Sequence, residues 1–339
     1  MNKELNTELM DAAFRGHKEG VMRALESGAD INAHIGYDGE TPLMFAVHRG
    51  SAKIVRFMLE HGANVNAADN YNWTALTWAA KKDNTDAARL LIEYGANVNA
   101  ADKNDKTALM IATAKGHTDI ACMLIEHGAN VNAANDYGGT ALIGASENGH
   151  AAIAKMIIEH GANVNAADKF GSTALTRAAE NGHANIVLML IKHEANVNAA
   201  SYYGNTALML AASNNHVAIV KLLIEHGANV NSVKIDGDTA LIKAANNGHA
   251  DAVRLLIEHG ANINAANNEG KTALMKATRN GQKETVRMLL DAGANITPTD
   301  CFSYNALALA NAYGHKEIAN MLRNAGAVEN ELFNHCLPC

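Results

Sequence analysis

A tripeptide that returns every 33 residues constrains this chain more than any other feature of its sequence. Thr-Ala-Leu, once Thr-Pro-Leu, begins at eight threonines with this spacing: Thr41, Thr74, Thr107, Thr140, Thr173, Thr206, Thr239 and Thr272. Asn305 continues the series, and Thr7 begins it one residue out of phase. A fixed period of this length indicates one structural unit repeated along the chain, and we count ten such units.

A second marker keeps a constant distance from the first. Gly-Ala-Asn follows the repeat threonine by 21 residues in seven repeats, at Gly62, Gly95, Gly128, Gly161, Gly227, Gly260 and Gly293. In the sixth repeat Glu194 replaces this glycine. A helix commonly ends on a left-handed residue, which is usually glycine, so we expect Glu194 to be held in a left-handed conformation that disfavours it.

A 33-residue unit that opens with Thr-Pro-Leu resembles the ankyrin repeat. Thr41-Pro42-Leu43, Gly116-His117 and Gly128-Ala129-Asn130-Val131-Asn132 carry the resemblance, which extends from residue 3 to about residue 327. It implies an all-α repeat solenoid, elongated and curved, in which each repeat is a helix-turn-helix followed by a hairpin-like loop. The histidine that follows Thr-Pro-Leu in the family is absent here, where packed residues such as Met44 take its place.

Local chemistry predicts the same layout without the resemblance. Thr140 can cap a short helix that Asn148-Gly149 ends, and a second helix follows from Ala152 to Glu159. Neither helix could bury its apolar face alone, so neighbouring repeats must stack. We predict one domain over residues 1–327, built of ten stacked repeats with the first and last acting as caps, and a C-terminal tail over residues 328–339.

Residue types that carry enzyme chemistry fall into no recognisable arrangement. The 16 histidines lie mostly in two columns with one member per repeat, whereas a zinc site needs three or four ligands that converge on one point. No nucleophile context and no glycine-rich phosphate loop is recognisable. We therefore predict a protein that is not an enzyme and that uses no metal and no cofactor.

Composition narrows the class of partner and the compartment. The formal charge of −7 argues against nucleic acid, which needs a basic surface. No apolar stretch reaches the roughly 20 residues of a membrane span, and the N-terminal residues lack a signal-peptide pattern. Four scattered cysteines form no disulfide framework. These features predict a cytoplasmic monomer whose partner is a protein.

The resemblance implies that a partner binds the loop tips and the concave face of the first helices. On that face, residues four positions after the threonine are large and apolar in three consecutive repeats, and cations follow them. The candidate site is an aromatic patch with a basic rim: Tyr37, Phe45, Arg49, Tyr71, Trp73, Trp78, Lys81, Lys82, Ile111 and Lys115. Alternatively, Phe45 and Trp78 only pack against neighbouring repeats.

A second row of candidates lies at the loop tips, three residues before the threonine. It contains Tyr71, Tyr137, Phe170 and Tyr203. Exposed aromatic residues at one position of successive repeats form a line along one edge, where they either bind a partner or pack on adjacent tips.

The last residues leave three alternatives open. Cys336 is fourth from the end and resembles the cysteine of a prenylation box, although Pro338 weakens that match. The segment could instead be a tail without function, or His335, Cys336 and Cys339 could form a metal or redox clip. Our leading hypothesis is a protein-binding scaffold or adaptor. The alternative is a secreted effector of bacterial type that binds a host protein in the host cytosol, tethered to a membrane if Cys336 is lipidated.

Overall fold

The computed structural model describes residues 3–328, where twenty α-helices follow one another in pairs. They fall into two compact units, Met1–Lys169 and Phe170–Cys339. In the first unit the helices are α1 (Lys3–Arg15), α2 (Lys18–Glu26), α3 (Pro42–Arg49), α4 (Ala52–Glu60), α5 (Ala75–Lys82), α6 (Thr85–Glu93), α7 (Ala108–Lys115), α8 (Thr118–Glu126), α9 (Ala141–Glu147) and α10 (Ala151–Glu159).

In the second unit the helices are α11 (Ala174–Glu180), α12 (Ala184–Lys192), α13 (Ala207–Ser213), α14 (Val217–Glu225), α15 (Ala240–Asn247), α16 (Ala250–Glu258), α17 (Ala273–Arg279), α18 (Lys283–Asp291), α19 (Ala306–Ala312) and α20 (Lys316–Asn324). Odd-numbered helices are the first of each pair. The predicted C-terminal tail, with Cys336, lies outside the described residues apart from Val328.

Each repeat threonine begins a first helix, as the sequence predicts. Thr140 is the N-cap of α9, and its hydroxyl accepts a hydrogen bond from the backbone N–H of Ile143 at 3.3 Å. Such a cap satisfies one of the N–H groups that a helix leaves unpaired at its start. Because the caps recur every 33 residues, equivalent side chains of successive first helices point to the same face.

The core of each unit consists of apolar side chains shared between neighbouring pairs of helices. In the first unit, α7 packs on α5, α8 and α9. Leu109 and Leu142 are each 1% exposed, and the alanines Ala112 and Ala145 are fully buried. Alternation of large and small side chains lets short helices approach closely and still fill the space between them.

Loops between the pairs end in hairpin-like tips. An antiparallel bridge joins Ala101 to Thr107 at the base of one tip, and six further repeats have such a bridge. Successive tips are joined through their backbones, since the N–H of Lys103 donates to the carbonyl of Tyr71 at 3.0 Å. The predicted turn at each tip is therefore present and is fixed by its neighbours.

An asparagine ladder couples neighbouring repeats on the outside of the core. The side-chain Nδ2 of Asn99 donates to the carbonyl of Gly128 at 3.1 Å, and its Oδ1 accepts from the backbone N–H of Asn130 at 2.7 Å. One side chain thus holds the helix end and the following loop of the next repeat. The same two bonds are made by further members of the ladder: Asn32, Asn66, Asn132, Asn198 and Asn231.

Glu194 adopts the left-handed conformation that the sequence predicts for it. Its φ is 64°, close to the 84° of the equivalent Gly227. For a residue with a Cβ this conformation costs roughly 1 kcal/mol relative to glycine.

We expect Glu194→Gly to stabilise the protein by about 1 kcal/mol, because glycine removes this strain. For a chain of this size the thermal midpoint should rise by about 2 °C in a calorimetric scan. Asn215→Gly is a matched control, since Asn215 also has a positive φ of 58° but asparagine tolerates it. An unchanged or lower midpoint for Glu194→Gly, or an equal gain for both variants, would contradict this explanation.

Candidate functional site

The candidate site lies on the first-helix face of the first unit. We use this name for the side of α1, α3, α5 and α7 that carries the residues four, seven and eight positions after each repeat threonine. Phe45, Trp78 and Ile111 occupy the fourth position, and all three are half-buried. Thr41 and Thr74 cap α3 and α5 and so fix the direction in which Phe45 and Trp78 point.

Five ring side chains on this face are in contact, and we call them the aromatic row: Phe14, Phe45, His48, Trp73 and Trp78. Phe14 meets Phe45 edge-on with ring centroids 6.2 Å apart. His48 stacks on Trp78 at 5.0 Å and 27°, and Trp73 packs against Trp78 at 5.1 Å. The row therefore crosses α1, α3 and α5 and reaches the tip that precedes α5.

Two lysines of α5 cover the tryptophans. The Nζ of Lys81 lies 4.6 Å from the ring centroids of both Trp73 and Trp78, and the Nζ of Lys82 lies 6.0 Å from that of Trp78. A cation over an aromatic face contributes about 0.5–1 kcal/mol at an exposed site.

Trp78 contains a hydrogen-bond donor that has no acceptor. Its indole Nε1 is shielded from solvent and makes no hydrogen bond within the described residues, although the ring itself is only half-buried. An unsatisfied buried N–H is destabilising, commonly by about 1–3 kcal/mol. Because this N–H is enclosed by the protein, an acceptor from outside could reach it only if the side chains packed around it moved.

Two titratable groups near the row are shifted towards their neutral forms. Burial lowers the pKa of His48, and the charges of Lys82 and Lys81 lower it further. Burial also raises the pKa of Glu40, with Asp38 and Asp69 adding to the effect and Lys81 opposing it. His48 therefore remains a neutral aromatic ring to a lower pH than an isolated histidine and can stack on Trp78.

Exposed cations end four consecutive first helices beside the aromatic row. We call this set the basic rim: Arg15, Arg49, Lys82 and Lys115, at the ends of α1, α3, α5 and α7. Arg15 is bound to Asp11 at 2.9 Å. A cation at a helix C-terminus is stabilised by the helix dipole, which explains the position of each one. Together they place four cations side by side in a chain whose formal charge is −7.

Comparison with known families decides what kind of repeat this is. A family model described as ankyrin repeats (3 copies) matches residues 9–102, 97–168, 163–234 and 231–300. The chain is an ankyrin-repeat protein. The predicted all-α repeat solenoid is thereby confirmed. The matches end at residue 300, before α19 and α20, so the predicted count of ten repeats is larger than the family match supports. No curated protein matches the chain.

Ankyrin repeats are generally protein–protein interaction modules, and the family is typically a non-enzymatic binding scaffold. Within residues 3–328 of this ankyrin-repeat protein, no helix is long and apolar enough to cross a membrane. In the same range, no three His, Cys, Asp or Glu side chains are placed to hold a metal ion.

The histidine columns of the ankyrin repeats have structural roles in the positions described. His117 donates from its ring to the carbonyl of Ala80 at 2.8 Å, and His216 to that of Glu180 at 3.0 Å, so each links its repeat to the preceding one. In the second column, His127 bonds the carbonyl of Met123 in its own helix. Both kinds of bond satisfy carbonyls that helices leave unpaired at their ends.

The predicted site residues of this ankyrin-repeat protein separate into two groups. Contacts join Phe45, Trp73, Trp78, Lys81 and Lys82, while Ile111 lies half-buried on the next first helix. The others are exposed. Arg49 and Lys115 end their helices, and the remaining five lie at loop tips: Tyr37, Tyr71, Tyr137, Phe170 and Tyr203.

The tip aromatics are held in place through backbone hydrogen bonds. The N–H of Lys169 donates to the carbonyl of Tyr137 at 2.8 Å in the first unit. In the second unit the N–H of Tyr202 donates to Phe170 at 2.9 Å, and that of Ile235 to Tyr203 at 3.0 Å. Because the backbone bonds fix each tip, the side chains of these residues project outward.

Sequence reasoning missed two members of the aromatic row and part of the exposed tip surface. Phe14 and His48 stand seven residues after Thr7 and Thr41, so the ring side chains at this repeat position could have been recognised in the sequence. Val233 and Ile235 extend the exposed tip surface of the second unit and are 61% and 67% exposed. The loop tip that contains Val233 and Ile235 has no aromatic residue, so the pattern of aromatic tips in the sequence does not point to it.

Proposed function

We propose that this protein is a scaffold that holds an acidic segment of a protein partner on the aromatic row and the basic rim. The proposal rests mainly on Trp78, whose ring is partly exposed beside the exposed cations of the basic rim. An apolar side chain of the partner would cover the exposed part of this ring, and carboxylates next to it would meet the cations. Tryptophan and arginine are also the residue types that most often dominate binding energy at protein interfaces.

The charge of this face supports an acidic partner. The basic rim and Lys81 supply five cations, of which Arg15 is paired with Asp11 and Lys81 interacts with Glu40. Charge complementarity raises association rates and excludes partners of the wrong sign. Arg49, Lys82 and Lys115 would therefore attract an acidic segment.

Packing alone explains part of the aromatic row, because Phe45 contacts Phe14 and Trp78 contacts His48 of the preceding repeat. It does not account for the exposed cations around the row. The membrane-tethered effector remains an alternative that depends on Cys336, which the structure does not describe.

We expect the double variant Phe45→Ala/Trp78→Ala to weaken partner binding at least about tenfold, since hot-spot truncations commonly cost 2 kcal/mol or more. Proteins captured from cell extracts by immobilised wild type would be quantified by mass spectrometry. Each recovered partner would then be titrated in solution. Both tryptophans of the chain lie in the aromatic row, so their fluorescence reports binding directly.

Phe170→Ala/Tyr203→Ala is the matched control, since it removes two exposed aromatics of the second unit. Equal recovery of every partner by the wild type and by Phe45→Ala/Trp78→Ala would reject the aromatic row as the site. If binding depended on the row but did not weaken with rising salt, the acidic character of the partner would be wrong.

A further inference from the structure

A pocket lies in the second unit, beside α17 and α19. It is a cavity of about 130 Å³. Its apolar walls are Phe302, Tyr304, Leu309 and Tyr313, and two cations, Lys271 and Arg279, stand at its edge. Phe302 and Tyr304 belong to the loop tip that precedes α19, so a helix face and a tip meet there.

The repeat register relates this pocket to the aromatic row. Tyr304 immediately precedes the N-cap Asn305, as Trp73 precedes Thr74. Leu309 stands four residues after its N-cap, the position of Trp78. Arg279 stands seven residues after Thr272 in the preceding repeat, the place that His48 has relative to Trp78. An aromatic residue before the N-cap and an apolar residue four positions after it therefore recur in both units, and in this pocket the preceding repeat supplies the cation.

The volume of the pocket is large enough for only one side chain. An apolar cavity of about 150 Å³ is known to accommodate benzene. A cavity of about 130 Å³ therefore suits a single aromatic ring or a leucine side chain. It is too small for a helix or for several residues together.

The charged residues at the edge of the pocket indicate which kind of residue would lie beside the bound side chain. The Arg279 guanidinium lies 5.4 Å from the Tyr313 ring centroid and has no carboxylate within 4.0 Å among the described residues. Lys271 is paired with Glu269, whose pKa is lowered by this bond and the Lys271 charge, and also by Lys276 and Arg279.

The buried Asp300 at the back of the pocket does not compete for these cations. Its Oδ1 already accepts from the backbone N–H groups of Phe302 and Tyr304, each at 3.0 Å. Arg279 is therefore the group left to receive an added carboxylate, and it is already oriented by stacking on Tyr313.

We propose that this pocket binds one aromatic or leucine side chain of a protein segment that carries a carboxylate beside that residue. The site is separate from the aromatic row and does not require it. It is a second, smaller binding site in the second unit, and the ligand chemistry follows from the cavity volume and from the unpaired Arg279.

Three short peptides test the proposal on the full-length, nitrogen-15-labelled protein at low salt. Acetyl-Glu-Phe-Glu-amide should shift the amide signals of Phe302, Tyr304, Leu309 and Tyr313 in a saturable titration. Acetyl-Glu-Ala-Glu-amide should bind about tenfold more weakly, because it lacks the ring that fills the cavity. Acetyl-Gln-Phe-Gln-amide should bind about threefold more weakly, the ratio expected for an exposed ion pair.

Three variants complete the test. Ala312→Phe fills the pocket from an exposed position on α19 and should abolish the shifts. Arg279→Gln should remove the difference between the Glu and Gln peptides. Trp78→Ala should leave all the shifts unchanged. Equal affinity for the Phe and Ala peptides, shifts that map elsewhere, or binding that survives Ala312→Phe would each overturn the proposal.

Discussion

Replacing Leu109 with alanine should lower the free energy of unfolding by about 3 kcal/mol, the range found when a buried leucine is truncated. Leu109 is 1% exposed and lies on α7, which packs against α5, α8 and α9. Short helices fixed on several sides cannot collapse onto the space that the side chain leaves. In a stack of repeats, the loss weakens the contacts with both neighbouring repeats.

Ile111→Ala is the matched control, two residues further along the same helix. Ile111 is half-buried on the first-helix face, so we expect its truncation to cost less than about 1.5 kcal/mol. Urea denaturation followed by circular dichroism measures both variants. Equal destabilisation by the two substitutions would mean that α7 does not present distinct core and surface sides.

Gly237→Ala should destabilise the protein by about 3 kcal/mol through two additive effects, left-handed strain of roughly 1 kcal/mol and overpacking of 1–3 kcal/mol. Gly237 has a φ of 84° at a loop tip. A Cβ there would lie 2.7 Å from the backbone nitrogen of Asn268 and 2.9 Å from the Cα of Asn267. Because these are backbone atoms of the next tip, the two tips would have to separate.

Gly227→Ala isolates the first effect, the left-handed strain. Gly227 has the same φ of 84°, but nothing lies within 4 Å of the position that a Cβ would take. We expect this variant to lose only about 1 kcal/mol, the strain contribution alone. Chemical denaturation of both variants gives the difference, and a difference near zero would show that the tips move apart without strain.

Features that recur in every repeat could be predicted from the sequence, because each is set by a local rule. Thr140 begins a helix through its own hydroxyl, and the φ of Glu194 follows from the glycines at equivalent positions. Both depend on residues within a few positions along the chain. Repeated copies of the same pattern also average out the ambiguity of any single one.

Contacts between repeats were harder to foresee. Placing Phe45 and Trp78 on one face needed only the register, but the stacking of His48 on Trp78 depends on side-chain orientations in two different repeats. The unsatisfied Nε1 of Trp78 depends on everything packed around it. The pocket at Tyr313 was missed because its four walls come from two separate elements. The binding roles of all these residues remain predictions.

The asparagine ladder has a consequence for how such a gene can change. Asn99 reaches 29 and 31 residues forward, to Gly128 and Asn130. An in-frame duplication or deletion of 33 codons therefore leaves an asparagine of this kind with a partner at the same distance. Asn32 reaches 30 and 32 residues forward, to Gly62 and Asn64, so one extra residue in the loop between them leaves both bonds in place. The number of repeats can therefore change by whole repeats while the asparagine hydrogen bonds between neighbouring repeats are kept.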